Sequence, residues 1–150
     1  MALIRLTKAF NFEMAHVLHG HDGPCKHIHG HTYELYVTIL GTPNDDKNSP
    51  KYGMIMDFKD LKNLIKDAVI NDFDHALVMH REFAPPEIDT TKDIFKRVIL
   101  VDFQPTSENL ILDFADRIRK KLPGKMKLHS LRLRETLTSY AEWFADDNAK

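Results

Sequence analysis

The chain has 150 residues, 43% of them hydrophobic and 29% charged, a globular composition at the size of one domain that can bury a core without cross-links. A formal charge of −1 excludes the basic balance of nucleic-acid binders and gives no electrostatic attraction to anionic membranes. No apolar run is long enough to span a bilayer, and the opening "MALIRLTKAF" lacks the apolar core and cleavage site of a secretory signal, so a cytoplasmic protein is expected.

In chain order, "LIRLTKAFNFEMAH" alternates through Ile4, Leu6, Phe10 and Phe12 and reads as a strand. A loop over 19–27 follows, marked by Gly20, Gly23 and Pro24. "HTYELYVTILG" is the clearest strand, from His29 to Leu40. A polar turn region leads to a short strand, "GMIMDF", and then to a helix over 58–71, with Leu61, Leu64, Ile65, Ala68 and Val69 at helical spacing and Asp57 or Asp60 near its N-cap. Residues 79–92, with "APPEIDTT", read as irregular loop, and "IFKRVILVDF" as an additional strand. "PTSENLILDFADRIRKKL" is a second amphipathic helix, started at Thr106 or Ser107 and stopped by Pro123-Gly124. "LHSLRLRETL" alternates again as a strand. This order predicts one α+β domain over 1–150, with the helices on one face of a mostly antiparallel sheet.

The chemistry concentrates in "HGHDGPCKHIHGH", residues 19–31. Residues two apart on a strand share a face, so His29 and His31 stand side by side and form half a zinc site. Gly30 between them leaves room for close approach of a backbone or ligand. His16, at the end of the first strand, is the candidate third ligand. Three imidazoles leave one tetrahedral position open, as a catalytic zinc requires. Cys25, the one cysteine, is open to two roles: a fourth ligand closing a structural site, or a reactive thiol. His19, His21 and His27 read as solvated loop residues, and His80 and His129 as isolated surface or core histidines. Asp74 beside His75 can orient and polarise the ring. Glu135 alone reads as a surface partner of Arg132 or Arg134.

Together the segments Phe12-Glu13-Met14-Ala15-His16, Cys25-x-x-x-His29-Gly30-His31, Met54-Ile55-Met56-Asp57-Phe58, Asp74-His75, Pro105-Thr106-Ser107-Glu108-Asn109 and Arg134-Glu135-Thr136 resemble, in order, the 6-pyruvoyl-tetrahydropterin synthase and 6-carboxy-tetrahydropterin synthase (QueD) family. The resemblance implies the tunnelling fold (T-fold), an antiparallel sheet with two helices on one face, assembled into trimeric barrels and a homohexamer. It implies zinc on His16, His29 and His31, and 7,8-dihydroneopterin triphosphate as substrate. Cys25 would be the proton-abstracting base, Asp74 and His75 its relay, and Glu135 the grip on the pterin edge, assisted by Thr106, Ser107 and Glu108. The three-residue gap between Cys25 and His29 resembles the carboxy branch, a lyase that also releases acetaldehyde on the way to queuosine. The alternatives are the pyruvoyl reaction, a non-catalytic zinc and pterin binder, or another T-fold enzyme such as a cyclohydrolase. The chain departs from the family pattern with Val78-Met79 where Leu-Asn is usual. It also has a longer segment between His75 and Pro105, which is expected to extend the sheet edge or cover the entrance.

Overall fold

The computed structural model describes residues 2–149. The organising element is a long antiparallel pair, β1 (Ile4–His16) with β2 (His29–Gly41), in unbroken register from Ile4 opposite Gly41 to His16 opposite His29. Alternation explains it. Phe10, Phe12, Met14 and His16 of β1, and Tyr33, Leu35, Val37 and Ile39 of β2, are buried on one face, while the residues between them remain on the other.

Four more strands complete a six-stranded sheet in the order β4-β3-β1-β2-β5-β6. β5 (Lys127–Thr136) pairs antiparallel with β2, and β6 (Ser139–Phe144) antiparallel with β5. A bulge at His129 lets Leu128 and Leu131, three residues apart, both face the core. On the other side β3 (Ala76–His80) runs parallel to β1, touching it only at Met14–His16, and β4 (Val98–Val101) runs parallel to β3. The sheet is therefore mixed but mostly antiparallel, as expected, with parallel pairing confined to its β1–β3–β4 side. The long segment after His75 supplies an edge strand, the first of its two expected roles.

Both helical units cover the buried face. α1 (Phe58–Ile65) is capped by Asp57, whose carboxylate accepts the Lys59 N–H at 2.8 Å. It runs into a π-helical turn (Lys66–Ile70) that presents three successive apolar residues, Ala68, Val69 and Ile70, to the core. A last turn, α2 (Asn71–Phe73), follows. α3 (Ser107–Lys121) is capped by Thr106 and buries Leu110, Ile111, Phe114, Ala115 and Ile118. Glu108 in its first turn and Arg119 to Lys121 in its last suit the helix dipole.

Three elements differ from the sequence expectation. The expected strand "GMIMDF" is irregular chain. Asn44 N–H donates to the Met54 carbonyl across a loop, Gly53 turns at φ +80°, and Asp57 serves as a cap instead of pairing. β3 lies where helix exit and loop were expected, and β6 follows β5 after a two-residue turn, Leu137-Thr138. Among the described residues no helix is long and apolar enough to cross a membrane.

The aromatic centre of this core is Phe114, fully buried, its ring 4.9 Å from Phe73 and 6.1 Å from Phe12, edge-on to both. Phe114→Ala is expected to lower stability by about 3–5 kcal/mol. The readout is a fall in denaturation midpoint with an unchanged slope on urea.

Candidate metal centre and cleft

The register of β1 and β2 builds the site. His16 is directly opposite His29, and Met14 opposite His31, so three imidazoles meet on the helix-facing side at the end of the pair joined by the 17–28 loop. Their ring centroids are 4.6 Å (His16–His29), 5.0 Å (His29–His31) and 5.3 Å (His16–His31) apart. One ring nitrogen from each lies within 4.8 Å of the others. The Cys25 sulfur is not in this group, and neither is a carboxylate.

The outer hydrogen bonds fix the ring orientations. His16 Nδ1–H donates to the Pro105 carbonyl at 2.7 Å, and His29 Nδ1–H to the His27 carbonyl at 2.7 Å. A carbonyl only accepts, so each ring carries its proton on Nδ1 and, when neutral, turns an Nε2 lone pair inward. Those two Nε2 atoms are 3.0 Å apart. Two lone pairs at that distance repel unless a cation lies between them. Zinc–nitrogen bonds of 2.0–2.1 Å at the tetrahedral angle give a nitrogen separation of about 3.3 Å, close to the one seen. The donor set therefore fits a divalent, imidazole-preferring ion. Burial pushes the His16 and His31 imidazoles below their usual pKa, against the opposing pull of the Glu135 carboxylate, which favours the neutral form that binds metal. A Cβ at Gly30 would make only ordinary contacts, the nearest 3.4 Å from the Met14 carbonyl, so close approach within the chain does not require glycine there.

His16 also borders a cleft of about 340 Å³. Its walls include Cys25, Thr106, Ser107, Glu108 and Glu135, five residues singled out in the sequence from three separate segments. Cys25 is in a 3-10 turn (Pro24–Lys26) and is half-buried. Glu135 stands where the β5–β6 pairing slips, between Arg134 opposite Tyr140 and Thr136 opposite Ser139, an irregularity that helps aim its side chain. It does not pair with Arg132 or Arg134, which bind Glu142 and Glu34 instead. Its Oε1 accepts the Tyr33 hydroxyl at 3.2 Å and is 3.4 Å from His16 Nε2 and 3.6 Å from His31 Nε2. Burial, reinforced by that carboxylate, raises the Tyr33 phenol far above its ordinary value, so it stays a donor. The Ser107 hydroxyl has no hydrogen-bond partner among the described residues although its oxygen is buried.

The structure separates other candidates from this cleft. Asp74 and His75 lie at the start of β3. Carboxylate and ring form a pair, with Asp74 Oδ1 3.0 Å from His75 Nδ1, but His75 is well exposed and borders a different concavity on the outer face of the sheet with Glu13 and Thr32. Within one chain they do not join Cys25. His19 stacks on Phe83 at 3.7 Å, His80 caps the Glu82 N–H, and His129 packs near Phe144, so these have local structural roles. His21, expected in solvent, borders the cleft.

Sequence reasoning missed Tyr33, the Pro105 carbonyl and Gln104. Gln104 clamps the histidine loop by donating to the His19 carbonyl at 2.8 Å and accepting its N–H at 3.1 Å. Tyr33 had a signal: it is the next inward position after His29 and His31 on the same strand. Removing one imidazole by His29→Ala is expected to lower bound zinc from about one ion per chain to a small fraction while the fold persists, measured by elemental analysis beside circular dichroism.

The model of the 6-pyruvoyl tetrahydropterin synthase family matches residues 5–146. A protein of Haemophilus influenzae named 6-carboxy-5,6,7,8-tetrahydropterin synthase is 34% identical over 143 residues, covering 94% of this chain and 99% of that protein. The crystal structure of an uncharacterized protein from Wolinella succinogenes superposes with a TM-score of 0.76 at 19% identity, covering 97% of this chain and 99% of that one. The structure of Caenorhabditis elegans 6-pyruvoyl tetrahydropterin synthase superposes at 0.69 with 21% identity, covering 97% of each. The fold is thus the T-fold, and the chain belongs to the 6-pyruvoyl tetrahydropterin synthase family.

Proposed function

We propose that the protein is a zinc-dependent 6-carboxy-5,6,7,8-tetrahydropterin synthase, a lyase that converts 7,8-dihydroneopterin triphosphate and water to 6-carboxy-tetrahydropterin, acetaldehyde and triphosphate, on the route to queuosine. The observation that carries this reading is the cleft, where a thiol, two carboxylates and the hydroxyl residues Thr106 and Ser107 converge beside the buried member of a three-histidine cluster. The name of the relative at 34% identity and the short Cys25–His29 spacing favour the carboxy branch.

His16, His29 and His31 hold the metal. Bound there, zinc supplies Lewis-acid polarisation of the side-chain hydroxyl oxygens of the substrate, which loosens the neighbouring C–H bonds. Cys25, as thiolate, takes the proton. Glu135 grips the N–H edge of the pterin. Its Oε1 is occupied by Tyr33, so Oε2 is the oxygen left for substrate, and a half-buried carboxylate set this way disfavours rings lacking the matching donors. Thr106 and Ser107 add hydroxyls along the ring, and the unpartnered Ser107 oxygen is a buried group whose cost a ligand would relieve. Glu108, exposed at the first turn of α3, completes that wall.

Asp74 and His75 act as the relay for Cys25 of a neighbouring copy, because their own Cys25 is not within their reach. Two features support such an assembly, the homohexamer of the family. Among the described residues, β1 is unpaired on its second edge along Ile4–Phe12, since β3 meets it only at Met14–His16, and β6 has an open outer edge; each can accept another chain's strand. A reducing cytoplasm keeps the lone thiol active.

Product analysis with 7,8-dihydroneopterin triphosphate tests the reading. The zinc-loaded protein should release triphosphate and acetaldehyde and form the carboxy product. Cys25→Ala should abolish all three while binding zinc normally. A pyruvoyl product without acetaldehyde would move the chain to the other branch, and pterin binding without triphosphate release would make it a binder.

A further inference from the structure

The elbow that carries Asp74 and His75 is strained and has to be held. His75 is at φ +63°, the left-handed region that non-glycine residues occupy only where their surroundings enforce it. It comes directly after the last helical turn, where backbone carbonyls have no partner inside the helix. Those of Asn71, Asp72 and Asp74 all accept hydrogen bonds from one Nη2 of Arg97, the first two at 3.0 and 2.9 Å. Arg97 belongs to the long segment between β3 and β4. Its own carbonyl accepts the Leu77 N–H at 3.0 Å, just past the elbow. One residue therefore holds both flanks of His75. The third attachment is to β1: His75 N–H donates to the Glu13 carbonyl at 2.6 Å, and Glu13 N–H donates to Asp74 Oδ1 at 3.0 Å. With Nδ1 against Asp74 and the side chain 74% exposed, Nε2 is the ring nitrogen left for a group from outside the elbow.

We propose that Arg97 is a positioning residue, and that the 79–103 segment serves as a brace which fixes the direction of His75 across the outer face of the sheet. The inference rests on the relay role given to Asp74 and His75 above. A guanidinium is well matched to this position: the two N–H bonds of its planar Nη2 are shared among the three carbonyls, it has no acceptor, and its permanent charge is favourable at a helix C-terminus. No acidic side chain is paired with Arg97 among the described residues, so its hydrogen bonds go to the elbow's backbone.

The test compares R97A, R97K, R81A and H75A in the full-length, zinc-loaded protein. Arg81 ties the same segment to itself, donating to Asp102 at 3.1 Å and to the Leu100 carbonyl at 2.8 Å, without touching the elbow. R97A should lower kcat for dihydroneopterin triphosphate by roughly ten- to a hundredfold with KM unchanged, as expected for a misplaced reacting group. Hydrogen exchange in the peptide over 70–78 should speed up. R97K should fall between R97A and the parent protein, and it carries the same comparison if R97A does not fold. R81A should show a loss of Tm with kcat intact. If the Arg97 variants lose Tm like R81A and keep kcat, the positioning role is overturned and the relay reading stands. If H75A keeps full kcat, the relay reading fails and the inference fails with it.

Discussion

Two imidazole nitrogens 3.0 Å apart, on rings whose protons are committed elsewhere, are the constraint around which the molecule is arranged. The β1–β2 register sets them there. A slip of one residue would turn His29 and His31 to the outer face and leave His16 facing a glycine. The helix side of the fold is tied to the same point, because the Pro105 carbonyl that orients His16 immediately precedes Thr106, the cap of α3. The Glu135 carboxylate is bound to it through Tyr33 and by its proximity to His16 and His31. Histidine cluster, helix start and Glu135 carboxylate are thus one connected arrangement.

Features that cost stability gather at this end of the sheet. Three imidazoles crowd together, a buried hydroxyl lacks a partner, and His75 holds a left-handed backbone. The rest of the core is conventional, with apolar alternation on β1, β2 and β5 against two capped helices. Concentration of local conflict in an otherwise consistent fold is the pattern of a binding or catalytic site, where a ligand rather than the fold resolves the conflict.

What was legible in the chain follows from physical periodicity. Period-two alternation identified β1, β2 and β5, caps and apolar stripes identified α1 and α3, and strand geometry separated His29 and His31 from the histidines of the loop. The family motifs brought Cys25, Thr106, Ser107, Glu108 and Glu135 into one expected group, and one cleft contains all five. Other features left no such trace. β3 is five residues long with Ala76, Val78 and Met79 buried, so it has no clean alternation, and its parallel pairing is set by distant chain. The apolar residues of "GMIMDF" promised a strand, yet Ile55 and Met56 pack on the core from an unpaired loop that ends in a helix cap. Tyr33 resembled any core aromatic, and a carbonyl such as that of Pro105 has no side-chain signature. The adjacency of Asp74 and His75 said nothing about which face of the sheet they would serve.

X-ray absorption at the zinc edge of the metal-loaded protein bears most directly on the central claim, that three strand-aligned imidazoles hold an open metal site while Cys25 stays outside it. The expected spectrum has three nitrogen neighbours at about 2.0–2.1 Å and one further light, exchangeable ligand, with no sulfur shell. A zinc–sulfur distance of about 2.3 Å would place Cys25 on the metal and close the site, contradicting that claim.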